Sequence, residues 1–345
     1  MRSISLGPIA GRFRSAVRLL AGRAIILLYH RVIELSSDPQ WLCASPSQFA
    51  EQLDVLRRHY YPLHLTELCQ RLEKGKVPRK AVVVTFDDGY ADNLYYAKPL
   101  LEKFDIPATV FVTTEKIDKQ DEFWWEELER YLLQSEMLPE SLSVTVSGKV
   151  YSWVLNGERE QVLPAGQRWN VTMDSYPAPQ HRVYRELAPL LRDLSNEARE
   201  SILQQLARWA NVPRRARDTH RTLRPDEIVQ LNAGGLVEIG AHTVTHSVLS
   251  QQSPQTQRWE FENSKKKLES ILGHAVTTFA YPFGGRGDYN LETVASVERA
   301  GFSCACSNFP GWGVPGVSLY ELPRYLVRDW NGNDFSRQLA EWYSG

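Results

Sequence analysis

No stretch of this 345-residue chain is long and uncharged enough to cross a bilayer. Arg14, Arg18 and Arg23 interrupt the N-terminal apolar residues before a signal core can form, and Ala24 to Tyr29 is too short to span. Cysteine is scarce as well. Cys43, Cys69, Cys304 and Cys306 supply neither a disulfide framework nor the spacing of a zinc cluster, so buried reduced thiols are expected, which favours the cytosol. Charge of one sign is also missing: 40 Lys and Arg stand against 41 Asp and Glu, leaving no footprint for nucleic acid. Internal repeats and low-complexity runs are absent. What remains, with 43% hydrophobic residues, is the composition of a soluble enzyme with one large core. The N-terminus is the one lopsided region, because Arg2, Arg12, Arg14, Arg18, Arg23 and Arg31 occur there without an acidic residue. Residues 1–23 therefore read as a basic segment that would touch the inner face of a membrane while the protein stays cytoplasmic.

The chemistry-bearing residues sit at the ends of apolar runs. Ala81-Val82-Val83-Val84 leads directly into Thr85-Phe86-Asp87-Asp88-Gly89-Tyr90. β-Branched residues ended by Gly read as a buried parallel strand that stops in a tight turn. In α/β folds, chemistry collects at that carboxyl end. Neighbouring side chains on extended backbone diverge, so one carboxylate is free to hold a metal while the other stays available as a base. Taken alone, Asp-Asp-Gly also fits a solvated turn. A second strand, Leu236 to Ile239, precedes Gly240-Ala241-His242-Thr243-Val244-Thr245-His246. Two imidazoles at this spacing share a face if the segment takes a helical turn. An Asp with two His leaves coordination positions open for water and a substrate oxygen. The third run, Phe279-Ala280-Tyr281-Pro282-Phe283-Gly284-Gly285, is a strand broken by Pro and two Gly.

In this order the three segments resemble the polysaccharide deacetylases of carbohydrate esterase family 4, the NodB homology domain. The signature of that family is Thr-Phe-Asp-Asp-Gly, then His-Ser/Thr-x-x-His, then an aromatic loop containing Pro. The resemblance implies an α/β fold, a distorted (β/α)7-type barrel. It implies a hydrolase of linear amides that removes N-acetyl groups from an amino-sugar polysaccharide or its lipid-linked precursor. It further implies a divalent metal, taken as zinc, on Asp88, His242 and His246, with Asp87 as general base and the Phe283 N–H as oxyanion donor. Tyr281, Trp124 and Trp125 are the candidate substrate contacts, although core packing accounts for most such aromatics.

Two features of the family are missing. The Arg usually found two residues before Pro282 is Ala280, and no His follows His274, where a C-terminal Leu-x-His would carry the general acid. An amine leaving group still needs a proton. Ile25 to Tyr29 is an apolar strand that ends in His30, similar to the Tyr-His opening the deacetylases of exported poly-N-acetylglucosamine, whose motif order is circularly permuted. His30 is therefore assigned as the acid, and Arg324, at another strand end, as the group that holds Asp87 ionised. Two other classes stay open. A carbohydrate-binding pseudoenzyme would suit the missing Arg and His, and a non-haem iron oxygenase would use Asp88, His242 and His246 but leave Asp87 without a role.

Strand and helix alternate along most of the chain, as a barrel requires. Between Thr114 and Arg221 the alternation fails for about a hundred residues, too long for an ordinary connection. Phe123-Trp124-Trp125 opens a helix there, Leu142 to Leu155 suits a hairpin turning at Gly148, and Arg182 to Ala210 suits two helices. Residues 114–221 are expected to be a mixed α+β insertion covering one rim of a single catalytic domain. The expected partner is an N-acetylated glycan or lipid-linked sugar.

Overall fold

The computed structural model describes residues 22–117, 119, 121–135, 137–156 and 168–344. The basic segment expected over residues 1–23 thus falls outside the described residues except for Gly22 and Arg23. Among the described residues, no helix is long and apolar enough to cross a membrane.

The strands, in chain order, are β1 (Ala24–Tyr29), β2 (Arg31–Val32), β3 (Cys43–Ala44), β4 (Tyr61–Pro62), β5 (Ala81–Phe86), β6 (Ala108–Val112), β7 (Ser141–Val146), β8 (Lys149–Val154), β9 (Val237–Ala241), β10 (Thr278–Ala280), β11 (Cys304–Cys306) and β12 (Tyr325–Leu326). The main sheet runs β11-β10-β9-β6-β5-β1-β12, with the short β4 also on β5. Every pairing in it is parallel. The sheet curls until its ends nearly meet, and Cys306 pairs with Leu322 across the remaining seam. This is the expected α/β architecture, a half-open barrel of parallel strands ringed by helices.

Alternation along each strand sorts residues between two cores. Ile25, Leu27, Tyr29, Val82, Val84, Phe86, Val237, Ile239 and Phe279 face the surrounding helices. Ala24, Ile26, Ala81, Val83, Phe111, Ala280, Cys304, Cys306 and Leu322 fill the barrel interior. Burial on both faces explains why β1 and β5 read as unbroken apolar runs rather than alternating ones. Helix starts follow the local rules: Ser45 and Ser253 cap the Pro46–His59 and Pro254–Leu272 helices, each with Pro in the first turn. The segment Asn93 to Phe104 is different. Pro99 has no N–H to give to the preceding turn, and Asn93–Ala97 winds wide as a π-turn before the α-helix Lys98–Phe104. All four cysteines are free and buried.

Between β6 and the Pro225–Asn232 helix the chain builds a separate apolar cluster. The helix Trp124–Leu132, the β7–β8 hairpin and the helices Pro179–Arg192 and Asn196–Trp209 pack there around Leu128, Tyr131, Tyr184 and Leu206. The inner face of β7, with Leu142, Val144 and Val146, is buried in this cluster, and Tyr151 and Trp153 of β8 pack against it. Tyr90 belongs to the same cluster and Phe283 packs against it, so the segment lies directly on the barrel mouth.

Gly240 marks the tightest point of the barrel wall. A Cβ there would come within 2.4 Å of the Phe111 ring and 2.6 Å of Thr278 Oγ1. Gly240→Ala is expected to lose about 1–3 kcal/mol through overpacking, read by urea unfolding.

Candidate active site

The alternation that fills the barrel also sets its mouth. His30, Asp87, His242 and Arg324 continue the inward-facing series of β1, β5, β9 and the segment leading to β12. They line, or lie directly behind, a cavity of about 570 Å³ whose floor holds His30, Asp87, Asp88, His242 and His246.

Asp87 is held from both ends. Its N–H donates to the Tyr29 carbonyl at 3.0 Å, and Arg324 grips its carboxylate with Nη1 on Oδ1 and Nη2 on Oδ2, both at 2.7 Å. Arg324 is itself fixed by donating to Ser307 O at 2.7 Å and Thr85 Oγ1 at 3.2 Å. Burial pushes the Asp87 carboxyl up, but the Arg324 charge and then His242 outweigh it and hold the pKa at about 2. Arg324 therefore occupies the position that its assignment required, a long way in sequence from the missing Arg at Ala280.

Asp88 turns the other way because its backbone is left-handed, with φ at 75°, followed by Gly89 at 76°. His246 and Phe283 share that conformation at 55° and 60°. Non-glycine residues held there cost about 1–3 kcal/mol each and concentrate at functional sites. Asp88 Oδ1 lies 3.2 Å from His246 Nε2 and 3.6 Å from His242 Nε2. The ligand atoms of Asp88, His242 and His246 all fall within 4.8 Å of one another. Burial raises the Asp88 carboxyl and lowers both imidazoles, His246 to about 3, so both rings are neutral near pH 7. Asp88 Oδ1 is buried and accepts no hydrogen bond from the described residues, and His242 turns Nε2 inward because Nδ1 faces the Ala280 carbonyl at 2.8 Å. The donor set, with the Ala280 carbonyl orienting the His242 ring, fits a divalent cation.

The two His do not meet on a helical turn as expected. Residues 242–246 form an irregular bend, with Thr243 also left-handed at 64°. Thr243 Oγ1 accepts the His246 N–H at 3.1 Å. The bend is clamped from the Pro254–Leu272 helix by Glu260, which accepts the N–H groups of Val244 at 2.7 Å and Thr245 at 3.0 Å, and the Thr245 hydroxyl. Glu260 was invisible in the sequence, where it is one charge among several on a long polar helix.

His30 follows β1 at the same cavity, with Nδ1 buried and without a hydrogen-bond partner among the described residues. Burial lowers its pKa, and the charges of Asp88 and Asp87 oppose the change. No acceptor among the described residues takes the Phe283 N–H, while its carbonyl is held by Asn308 Nδ2 at 3.1 Å. Trp124 and Trp125 line the cavity wall, and Trp125 and Phe283 rest edge-on against His246 at 5.1 and 4.8 Å between ring centres. Tyr281 is a correction. It falls on the outward-facing parity of β10, wholly buried against Tyr289, with its hydroxyl donating to Tyr320 O at 2.8 Å, so it does not reach the cavity.

A second network ties the Trp124–Leu132 helix to the barrel. Arg31 donates to Asp92 at 3.0 Å and Glu126 at 3.1 Å, with its guanidinium 4.2 Å above the Tyr90 ring. Tyr90 donates to Glu126 at 2.9 Å and accepts from Trp125 Nε1 at 2.9 Å. Glu126, Glu129 and His220 also cluster, but Arg31 and Arg217 already answer the two carboxylates.

The family model described as polysaccharide deacetylase matches residues 74–136 and 164–305. YxkH of Bacillus subtilis, a protein assigned to the polysaccharide deacetylases, is 31% identical over 304 residues, which cover 88% of this chain and 70% of that protein. The chain belongs to the polysaccharide deacetylase family. It is accordingly a hydrolase, and its fold agrees. IcaB from Ammonifex degensii superposes with a TM-score of 0.58 at 19% identity, over 94% of this chain and 98% of that one. A Streptococcus pyogenes deacetylase, PplD, solved with acetate, gives 0.57 at 18%, over 92% and 98%. The poly-β-1,6-N-acetyl-D-glucosamine N-deacetylase of Staphylococcus aureus is 33% identical over 113 residues, 28% of this chain and 38% of that protein.

Arg324→Ala would leave the Asp87 carboxylate buried and unpaired, a loss expected to be about 3–5 kcal/mol at pH 7. The Asp87 pKa is depressed from 3.8 to about 2, so the pair contributes above the higher value and its contribution drains away as pH falls through the lower. Denaturant titrations at several pH values should show the gap between native protein and variant closing between those two limits.

Proposed function

We propose that the protein is a metal-dependent N-deacetylase acting on an N-acetylated amino-sugar glycan, polymeric or lipid-linked. The observation that carries this reading is the pairing of two unlike carboxylates at one strand end: Asp87 is clamped by Arg324, and Asp88 faces two neutral imidazoles. The relatives named as poly-β-1,6-N-acetyl-D-glucosamine N-deacetylases support an amino-sugar substrate and a place in exopolysaccharide biosynthesis.

Asp88, His242 and His246 would hold the cation, most simply zinc with this N/O donor set. When bound, the cation supplies Lewis-acid polarisation of the acetamide oxygen and makes a water acidic enough to be deprotonated near neutral pH. The remaining chemistry belongs to the chain. Asp87, kept ionised by Arg324, takes the proton of the attacking water. The free Phe283 N–H points a fixed dipole at the negative charge that develops on the acetamide oxygen. His30, across the same cavity, gives a proton to the departing nitrogen, as amine expulsion requires. The Trp124 and Trp125 wall excludes water and presents flat apolar surface to a sugar ring.

Acetate release from N-acetylglucosamine oligomers with zinc, abolished by a chelator, is the expected result. Iron content with oxygen uptake, or release from no N-acetylated glycan, would sink the proposal. Asp87→Asn is expected to retain zinc by elemental analysis and lose turnover, whereas Asp88→Ala loses the zinc. His30→Ala should keep zinc and lower kcat by about 10²–10⁴-fold, and full activity in that variant would remove His30 as the acid. Glu260→Gln, which loosens the His242–His246 bend, is expected to weaken zinc affinity about 10–100-fold in a competition titration.

A further inference from the structure

The cavity carries more positive charge than its chemistry uses. Arg185 and Arg192, from the Pro179–Arg192 helix, and Arg328, just past β12, line it together with the catalytic floor. Arg192 is answered by Asp288, Asp87 by Arg324, and Asp88 faces the two imidazoles. Arg185 and Arg328 have no carboxylate at ion-pair distance among the described residues. Arg185 donates to the carbonyls of Val171 and Met173 and to the Tyr176 hydroxyl, neutral acceptors that hold the guanidinium without cancelling its charge. Arg328 donates from Nη1 to Trp41 O and lies 4.4 Å from the centre of the Trp41 ring, and its Nε and Nη2 have no acceptor among the described residues. Burial works against the Arg328 charge, with Asp38 the opposing influence. Two half-buried guanidinium groups thus converge on one pocket in a chain whose overall net charge is only −1. Guanidinium recognises planar and tetrahedral oxyanions through paired N–H donors, and such contacts gain strength where water is partly excluded.

We propose that the glycan taken by this cavity is acidic, with a carboxylate or phosphate on the acetamide-bearing sugar or its neighbour held by Arg328 and Arg185. The inference deepens the N-deacetylase reading and rests on it for the position of the acetamide. An anion held at the insertion rim and at β12 would set the register of the chain over Asp87.

Three probes test it: neutral chitotetraose, an alternating N-acetylglucosamine–glucuronate tetrasaccharide, and chitotriose 1-phosphate. Binding to the native chain is read by calorimetry with a chelator present, so that turnover does not intrude, and acetate release is read separately with zinc. At least one anionic probe should bind about 10–100-fold more tightly than the neutral one, the range of one or two charge-assisted hydrogen bonds. The arm that wins identifies carboxylate or phosphate. Arg328→Gln should collapse the ratio of anionic to neutral affinity, and Arg328→Lys should restore part of it. Equal or undetectable affinity for the three probes overturns the proposal, as does an anion preference that survives Arg328→Gln and Arg185→Gln. Because Arg185 also secures the loop at Val171–Tyr176, a thermal melt accompanies its variant, and Arg328→Gln decides the matter if that variant does not fold. An anion preference lost in Arg328→Gln but with no acetate from any probe would fell the N-deacetylase reading while upholding the anion site.

Discussion

A buried ion pair sits at the barrel mouth, beside the seam. Arg324 comes from the segment leading into β12 and Asp87 from just past the end of β5, and their two 2.7 Å contacts are made where water is almost wholly excluded. Removing two charges from water is costly, and the pair recovers that cost only through bidentate geometry and full satisfaction of the remaining donors. Thr85 and Ser307 supply that satisfaction, and each is fixed to the strand register by its own contact to a backbone carbonyl, Leu27 for Thr85 and Leu322 for Ser307. The pair therefore needs the barrel to be nearly closed. The Asp87 charge in turn needs the pair, and the proposed base chemistry needs that charge.

A comparable dependence holds the Trp124–Leu132 helix beside the cavity. Arg31 follows His30 directly, and its side chain joins Asp92 on the barrel to Glu126 on the Trp124–Leu132 helix. The same Glu126 oxygen takes the Tyr90 hydroxyl, and Tyr90 takes the Trp125 indole, which rests against His246. Placement of an aromatic wall beside a metal-ligand candidate is thus relayed through hydrogen bonds rather than through apolar contact alone. Such a chain is demanding, since each buried member must be satisfied for the others to be.

Much of the centre was legible because it lies in local patterns. Parallel strands buried on both faces announce themselves as apolar runs, and candidate site residues are sought just past their carboxyl ends, which located Asp87, Asp88, His242 and His30. Alternation also explains the failure at Tyr281. One position from Ala280 on β10, it turns to the helix layer, and a reading of strand parity along that run separates it from the site. The helical turn expected between His242 and His246 failed for a different reason. Glu260, on a separate helix, imposes the bend, and nothing near the two His records that constraint.

The sequence by itself determined the strands, their exits and the residue types at those exits, because backbone periodicity and glycine conformations are properties of short segments. It also determined that an arginine and a histidine usual in the family were missing from their places. Only the tertiary structure decided that Arg324 reaches Asp87, that Glu260 shapes the His bend, and that Arg185 and Arg328 face one cavity. Those are contacts across tens to hundreds of residues, made when the parallel sheet curls and brings its first and last strands side by side. No local pattern encodes the partner of a buried charge, since that partner is chosen by whatever the closed barrel places within hydrogen-bond reach.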